Sequence, residues 1–285
     1  MLFVIKTLPF YSLIVNNIFM TKGRFRGKYY KHQTKDGYTL AIINSYSNEG
    51  HMVQIITNEK SFLVADISQI EISDAGINFN INQGDLKLTG HIGYMNLIKP
   101  KKDIMSYYRF LPIECKHRIF SFHQNLSGSI KLNGNKKSFD DGDGYIEGDK
   151  GRNFPTKYVW LNSSNDELAI TSAIASIPLG LFTITGNTTS ILHNGKEYRF
   201  GTYNASKVKK ISKDEIIITK GKYTLTITII DENKLHPLKA PVKGDMVRYI
   251  HECPSLKTKI SLKKNHTLIF DVVCPYTSFE YVWDE

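Results

Sequence analysis

Along most of the chain, hydrophobic and polar residues alternate with the period of two that is typical of β-strands. From Phe25 onward, short runs of β-branched and aromatic residues are separated by Gly, Asn, Asp and Ser. The strands predicted in the first part of the chain are residues 38–44, 52–57, 61–67, 77–81 and 86–92. No run after Met20 has a convincing helical period, so the pattern predicts an all-β protein.

Two Asn-Gly pairs mark the clearest turns. Asn133-Gly134 and Asn194-Gly195 each lie between two alternating runs, and this dipeptide favours a two-residue β-hairpin. Lys220-Gly221-Lys222 joins two further runs in the same way. Residues 169–181 are β-branched and contain Pro178, so we predict two strands with a bend rather than a helix. Short strands at this spacing indicate an antiparallel sandwich or barrel.

The length of 285 residues suits two small β-domains. The clearest loop near the middle is residues 162–166, so we expect a first barrel-like half over residues 22–165 and a second over residues 166–285. Residues 1–21 are apolar but include Lys6 and Pro9, which makes them marginal as a spanning helix. They are either a weak membrane-associating helix or an extension ahead of a start at Met20.

The formal net charge of +10 favours anionic partners, and an anionic membrane surface or an anionic ligand would fit it. The lysines are spread along the chain without a nucleic-acid-binding signature, so no nucleic-acid partner is expected. The three cysteines lack Cys-x-x-Cys spacing, which indicates a reducing compartment. We therefore expect a cytoplasmic protein, either free or peripheral at the inner face of the membrane.

The segment 144–165 concentrates acids, cations, glycines and aromatic residues. If Tyr145 to Asp149 is a strand, then Tyr145, Glu147 and Asp149 project from one face. The two acids are candidate catalytic groups, and Arg152 and Trp160 of the same segment are candidate ligand-binding residues. The alternative is a structural network of salt bridges to neighbouring cations (Lys150, Arg152 and Lys157). Spacing alone does not choose between these interpretations.

Two further segments carry candidate chemistry. In residues 110–128, strand alternation places His117 and His123 on one face, as either an acid–base row in a cavity or an ordinary solvent face. No tight metal-ligand spacing accompanies them, so no metal site is predicted. In residues 244–252, alternation places Arg248 and Glu252 on one face, where they either line a pocket or form an exposed ion pair.

Several enzyme classes are disfavoured by missing motifs. The chain contains no Gly-x-Ser-x-Gly nucleophile elbow, no Walker-type phosphate loop and no dinucleotide-binding fingerprint ahead of a helix. No cofactor is therefore predicted.

The central motif GYIEGDKGRNFPTKYVW (residues 144–160) resembles the signature segment of the tocopherol cyclase family. Six other segments are similar to that family in the same order: FRGKYYKHQ (25–33), ECKH (114–117), His123 with LSG (126–128), FGTY (200–203), MVRYIHE (246–252) and FEYV (279–282). The resemblance extends from about Phe25 to the C-terminus. It implies an all-β, lipocalin-like (calycin-type) architecture with two β-barrel-like halves.

The resemblance also implies an activity. The family's named reaction, an isomerisation of the intramolecular lyase type, closes a chromanol ring by adding a phenolic hydroxyl of a prenylated quinol across a double bond. Such a step needs a strong acid and a cavity that excludes water. Glu147 and Asp149 are the candidate acids, and His117 or His123 is the candidate group that orients or deprotonates the phenol. Arg248 and Glu252 are the candidates for fixing the polar head.

Two positions depart from the family pattern, because Lys28 and Lys150 stand where the family tends to have tryptophan. If both positions belong to one wall, that wall is expected to face an anionic ligand group; the alternative is an exposed rim. The partner is expected to be a hydrophobic or amphiphilic small molecule. A non-catalytic carrier of such a ligand in a lipocalin-like cavity is the alternative to a cyclase, since a fold alone does not confer chemistry.

Overall fold

The computed structural model describes residues 22–231 and 234–284, and this part of the chain is almost entirely antiparallel β-structure. The first sheet runs from Phe25 to Gly151. Its strands are β1 (Phe25–Gln33), β2 (Thr39–Ser47), β3 (Gly50–Thr57), β4 (Ser61–Val64), β5 (Ile70–Ile72), β6 (Gly76–Gln83), β7 (Leu86–Ile98), β8 (Cys115–Leu132), β9 (Asn135–Ser138) and β10 (Asp143–Gly151). They are paired in the order β4-β3-β2-β1-β10-β8-β7-β6-β5, with β9 on β8.

The second sheet repeats this plan. Its strands are β11 (Tyr158–Ser164), β12 (Leu168–Leu179), β13 (Phe182–His193), β14 (Lys196–Gly201), β15 (Lys207–Ile211), β16 (Glu215–Lys220), β17 (Tyr223–Ile229), β18 (His236–Val242), β19 (Asp245–Lys264) and β20 (Thr267–Val282). They are paired in the order β14-β13-β12-β11-β20-β19-β17-β16-β15, with β18 on β19. The described 3-10 helices are short: Ile67–Gln69, Ser106–Phe110 and Thr202–Asn204.

Three apolar clusters follow from the alternation of side chains along the strands. One cluster, including Leu40 and Ile146, fills the first sheet, and a second, including Ile170 and Leu262, fills the second sheet. The third cluster lies between the two sheets and includes Tyr145, the chain neighbour of Ile146. Each sheet thus curls around its own core, and the predicted all-β, lipocalin-like architecture with two barrel-like halves is confirmed.

The Asn-Gly turns form as predicted. Asn133 and Gly134 have φ angles of 48° and 91°, and Asn194 and Gly195 have φ angles of 48° and 71°. Positive φ at both central residues is the requirement of the hairpin turn whose twist matches that of the strands it joins. The turns link β8 to β9 and β13 to β14.

Two sequence-based expectations differ from the structure. Residues 168–179 form one continuous strand, since β12 pairs with β13 along its whole length, and Pro178 lies near its end. The chain changes sheet between Gly151 and Tyr158, so β11 pairs with β12 and β20 in the second sheet although it precedes the expected division after residue 165. Residues 162–164 of the predicted loop are the end of β11, and residues 165–167 form its turn to β12.

The predicted apolar segment at residues 1–21 lies outside the described residues. In the part of the chain that the structure covers, no helix is long and apolar enough to cross a membrane.

Candidate active site

A cavity of about 340 Å³ lies between the two sheets. Strands of both sheets line it, and the segment before β8 and the loop between β10 and β11 contribute Tyr108 and Phe154. Most of its wall is apolar, and the carboxylates of Glu147, Asp149 and Glu280 reach it. A mainly apolar wall with few polar groups is typical of a small-molecule site.

Glu147 occupies the wall of this cavity from β10, which lies in the middle of the first sheet. Its side chain is buried, with 4% of the residue exposed. The hydroxyl of Tyr145, two residues earlier on the same face, donates a hydrogen bond to Oε2 of Glu147. The indole Nε1 of Trp160, from β11 of the other sheet, donates to the same oxygen at 3.1 Å. Both donors fix the carboxyl group in one orientation.

His117 lies between the two acids of β10. Its Nδ1 is 3.0 Å from Oδ1 of Asp149, its partner in the β8–β10 register. Its Nε2 is 3.3 Å from Oε2 of Glu147, although without the geometry of a hydrogen bond. The thiol of Cys115 also donates to Asp149, at 3.6 Å. Tyr145, Glu147 and Asp149 therefore project from one face of β10, as predicted. His117 of the neighbouring strand β8 lies beside them.

The burial of this cluster changes its acid–base properties. Burial raises the pKa of Glu147 to about 7, because a carboxylate loses hydration there, while His117 opposes this shift. For His117, burial disfavours the imidazolium, but the carboxylates of Glu147 and Asp149 outweigh that effect and raise its pKa to about 9. A carboxyl group that holds a proton near neutral pH therefore adjoins a charged imidazole.

The salt-bridge network considered for Glu147 and Asp149 is not formed. Among the described residues, neither acid pairs with Lys150, Arg152 or Lys157. The side chain of Arg152 is exposed at the end of β10 and does not line the cavity. Its predicted role in ligand binding is not supported by this position.

His123 does not join the cluster. Its Nδ1 lies 3.1 Å from Oγ of Ser164, and its Nε2 lies 3.3 Å from Oδ1 of Asp166. His123 thus contacts the second sheet, and it lies six residues further along β8 than His117, which is about 20 Å at the rise of an extended strand. The prediction that both histidines line one cavity is therefore wrong, because His117 lines the cavity between the sheets and His123 does not.

Arg248 and Glu252 project from the same side of β19, as alternation predicts, but they have different partners. The guanidinium of Arg248 donates to the carbonyl oxygens of Pro155 at 2.8 Å and Thr156 at 2.9 Å, and so anchors the β10–β11 loop beside the cavity. Glu252 is fully buried and accepts a hydrogen bond of 2.6 Å from the hydroxyl of Tyr29. Neither side chain touches the cavity directly.

The site includes polar groups that were not predicted from the sequence. Glu280 on β20 accepts a 2.5 Å hydrogen bond from the hydroxyl of Tyr158, and burial raises the pKa of Glu280 well above its usual range. Tyr29, which binds Glu252, also lines the cavity. Glu280 falls within one of the family-like segments (279–282), and this was the available signal for it.

Lys28 lines the cavity, whereas Lys150 does not. Both lysines instead border a second cavity on the other side of the first sheet. Lys28 and Lys150 therefore border one cavity. That they face an anionic group of a ligand stays a prediction.

His117, Glu147 and Asp149 have ligand atoms within 4.8 Å of one another, a spacing that a metal ion requires. Metal ligation needs neutral imidazole with a free ring nitrogen. Here each ring nitrogen faces a carboxylate, and these carboxylates raise the pKa of His117 to about 9 after overcoming the effect of burial. A metal ion at this position would therefore compete with a proton for His117.

The comparisons with known proteins agree with this fold. The family described as tocopherol cyclase-like matches residues 23–281. The chain belongs to the tocopherol cyclase-like family. No curated protein sequence matches this family member significantly.

Solved structures share the fold of this tocopherol cyclase-like chain at low sequence identity. Kievitone hydratase from Nectria haematococca is 11% identical, with a TM-score of 0.52, over 92% of this chain and 90% of that one. CghA is 8% identical, with a TM-score of 0.58, over 90% and 88%. CghA with Sch210972 is 7% identical, with a TM-score of 0.57, over the same shares. At such identities the likeness shows a common fold alone.

Proposed function

We propose that this chain is an intramolecular cyclase that closes a ring in a prenylated quinol or similar amphiphile by acid catalysis. The cavity between the sheets holds the substrate, and Glu147 is the proton donor. The observation that carries the proposal is the buried carboxyl group of Glu147 at an apolar wall, with its pKa raised to about 7 by burial. A carboxylic acid that stays protonated near neutral pH can act as a general acid.

The chemistry is balanced without a co-reactant. The proton of Glu147 adds to one carbon of the substrate's double bond, and the other carbon becomes a cation. The phenolic oxygen bonds to that carbon and releases its proton to the Glu147 carboxylate. The product is an isomer of the substrate, and the acid is regenerated.

The neighbouring residues support this cycle. The imidazolium of His117 stabilises the carboxylate that Glu147 becomes after proton transfer, and Asp149 orients the imidazole. Trp160 and Tyr145 hold the carboxyl group toward the cavity. The apolar walls keep out water that would otherwise trap the cation.

The names of the matching family and of the similar solved structures also support a reaction on a small molecule. The family is named for a cyclase, and one neighbour of the same fold is a hydratase by name. Another neighbour was solved together with Sch210972, which agrees with a small-molecule cavity in this fold. The prenylated quinol is the substrate that the family name implies, and the apolar wall and the acid are compatible with it.

A non-catalytic carrier is the second candidate, because the mainly apolar wall would also hold a hydrophobic ligand without turnover. Native mass spectrometry of the purified protein separates the two. A lipid retained at one copy per chain, together with no turnover of prenylated hydroquinones, supports the carrier.

The test of the cyclase is the variant Glu147→Gln, which removes one proton donor at nearly constant volume. We expect conversion of a prenylated hydroquinone to its chromanol to be lost while the thermal unfolding temperature is retained. Glu49→Gln, exposed in the turn between β2 and β3, is the matched control. Full activity in Glu147→Gln would remove this residue from the mechanism.

A further inference from the structure

A second cavity, of about 990 Å³, lies on the side of the first sheet that holds its own core. Residues of β1, β8 and β10 form one wall of it. Val53 and residues 67–72, around β5, contribute to the other side. This cavity adjoins the one between the sheets, and six residues border both: Gly27, Lys28, Met105, His117, Gly148 and Asp149.

Cations occupy neighbouring positions across the three strands of the first wall. Arg26 of β1 pairs in register with Lys150 of β10, and Lys150 pairs with Lys116 of β8. Lys28 and Arg118 lie two residues further along their strands, with the same glycine of β10 between them. Because side chains two residues apart share a face, all five cations border the cavity.

An aromatic ring positions two of these cations. Phe120 has Lys28 Nζ at 4.8 Å and Arg118 Cζ at 5.0 Å from its ring centroid. Such contacts hold a cation in place and leave its charge available to a ligand.

The acids that border the same cavity are engaged elsewhere. Asp103 pairs with Arg109 at 3.1 Å, Asp149 lies 3.0 Å from His117, and Glu71 accepts from an asparagine of β6 at 3.1 Å.

Among the described residues, Lys28, Lys116, Arg118 and Lys150 form no ion pair with a carboxylate. Like charges on directly opposed positions destabilise a sheet. A bound anion would relieve that repulsion.

The remaining wall determines what else the ligand must contain. The cavity is also bordered by Val53 of β3 and by Ile67, Ile70 and Ile72 around β5, while the ring of Tyr30 lies beside Lys28 on β1. An inorganic anion would leave this apolar surface uncovered, whereas an alkyl or aryl group would cover it.

We propose that this cavity is a binding site for an amphiphile with one terminal anionic group, either a phosphate or a carboxylate. The anionic group contacts the cations of β1, β8 and β10, and the apolar body lies against Ile67 to Ile72. The site adjoins the catalytic cavity and does not depend on the proposed cyclase activity.

Titration calorimetry with octyl phosphate tests the proposal, with 1-octanol as the neutral probe and inorganic phosphate as the free anion. We expect octyl phosphate to bind at least ten-fold more tightly than either, and more weakly as salt concentration rises. The double variant Lys116→Gln/Lys150→Gln should weaken its binding at least ten-fold, which corresponds to about 1.4 kcal/mol. Arg118→Gln should weaken it as well.

Two controls locate the site. Lys207→Gln/Lys209→Gln removes two exposed lysines of β15 in the other half of the molecule and should leave the affinity unchanged. Ala175→Leu, which narrows the cavity between the sheets at a residue that does not border the second cavity, should also bind octyl phosphate as the unmodified protein does.

Three results would overturn the proposal: octanol binding as tightly as octyl phosphate, an unchanged affinity in the Lys116/Lys150 variant, or a loss of binding in Ala175→Leu. Inorganic phosphate binding as tightly as octyl phosphate would exclude the amphiphile and leave a simple anion site.

Discussion

The Nε2 atom of His117 lies 3.3 Å from Oε2 of Glu147, and both side chains are buried at the wall of the same cavity. The two groups therefore titrate as one unit, and a change of charge beside them shifts both. If protonated Glu147 is the acid, then activity is lost as pH rises through its pKa of about 7, a value set mainly by burial.

Asp149→Asn should move that loss of activity to lower pH. The negative charge of Asp149 raises the pKa values of Glu147 and His117, and an amide removes it without a large change in volume. We expect the falling limb of kcat/KM against pH to shift down by on the order of one pH unit. Asp74→Asn, exposed in the turn before β6, is the control. An unmoved or upward-shifted limb would contradict the assignment of Glu147 as the acid.

Trp160→Phe should have the opposite effect on the same profile. The indole donates a 3.1 Å hydrogen bond to the Glu147 carboxylate, which lowers the pKa of Glu147 relative to what burial alone would give. Phenylalanine keeps an aromatic ring against Tyr29 but removes this donor. We expect the falling limb to move to higher pH. A shift in the same direction as that of Asp149→Asn would show that the two variants act through general damage to the cavity.

The sequence predicted the parts of this site that depend on local geometry. Tyr145, Glu147 and Asp149 share a face because successive residues of a strand alternate, and this holds for any strand that contains them. The Asn-Gly turns were predictable for the same reason, since their backbone requirement is met within two residues.

Contacts between distant strands were not predictable from alternation. The proximity of His117 to Glu147 depends on the β8–β10 register, and the partners of His123, Ser164 and Asp166, come from β11 of the other sheet and its turn to β12. Glu280 enters the cavity from the last strand of the other sheet, 133 positions after Glu147. Only tertiary packing brings such residues together. The sequence therefore showed which side chains could act as acids or bases, but not which residues they would contact.

Glu252→Gln should change the pH dependence of stability. Burial raises the pKa of Glu252 in the folded protein from the usual 4.5 to about 7, against the opposing effects of Tyr29 and Lys31. The folded state therefore binds more protons than the unfolded state between these values, and stability falls as pH rises from about 4.5 to about 7. Glutamine is not subject to this loss and can still accept from Tyr29.

Urea unfolding at pH 5 and pH 8 measures this effect. Relative to the unmodified protein, Glu252→Gln should be more stable at pH 8 than at pH 5, by up to on the order of 3 kcal/mol in the free energy of unfolding. The control Glu49→Gln carries an exposed change and should show no such difference. Equal stability differences at both pH values would mean that Glu252 does not take up a proton on folding.

Arg248→Met should loosen the loop that borders the catalytic cavity. The guanidinium holds the carbonyl oxygens of Pro155 and Thr156 at 2.8 and 2.9 Å, while Phe154 and Pro155 line the cavity. Losing both hydrogen bonds should lower stability by about 1–2 kcal/mol. Because Arg248 touches the loop rather than the cavity, we expect KM for the prenylated hydroquinone to rise more than kcat falls.

Hydrogen exchange of peptides that cover residues 152–157 checks the cause of this change. Exchange should become faster in Arg248→Met and stay unchanged in Val247→Ala, which alters the adjacent exposed side chain of β19. Arg248→Lys keeps the positive charge but cannot bridge both carbonyl groups, so it should resemble Arg248→Met. If Arg248→Lys instead behaves like the unmodified protein, then the charge of Arg248 acts on the ligand head group, as first expected from the sequence, and its contact with the loop is secondary.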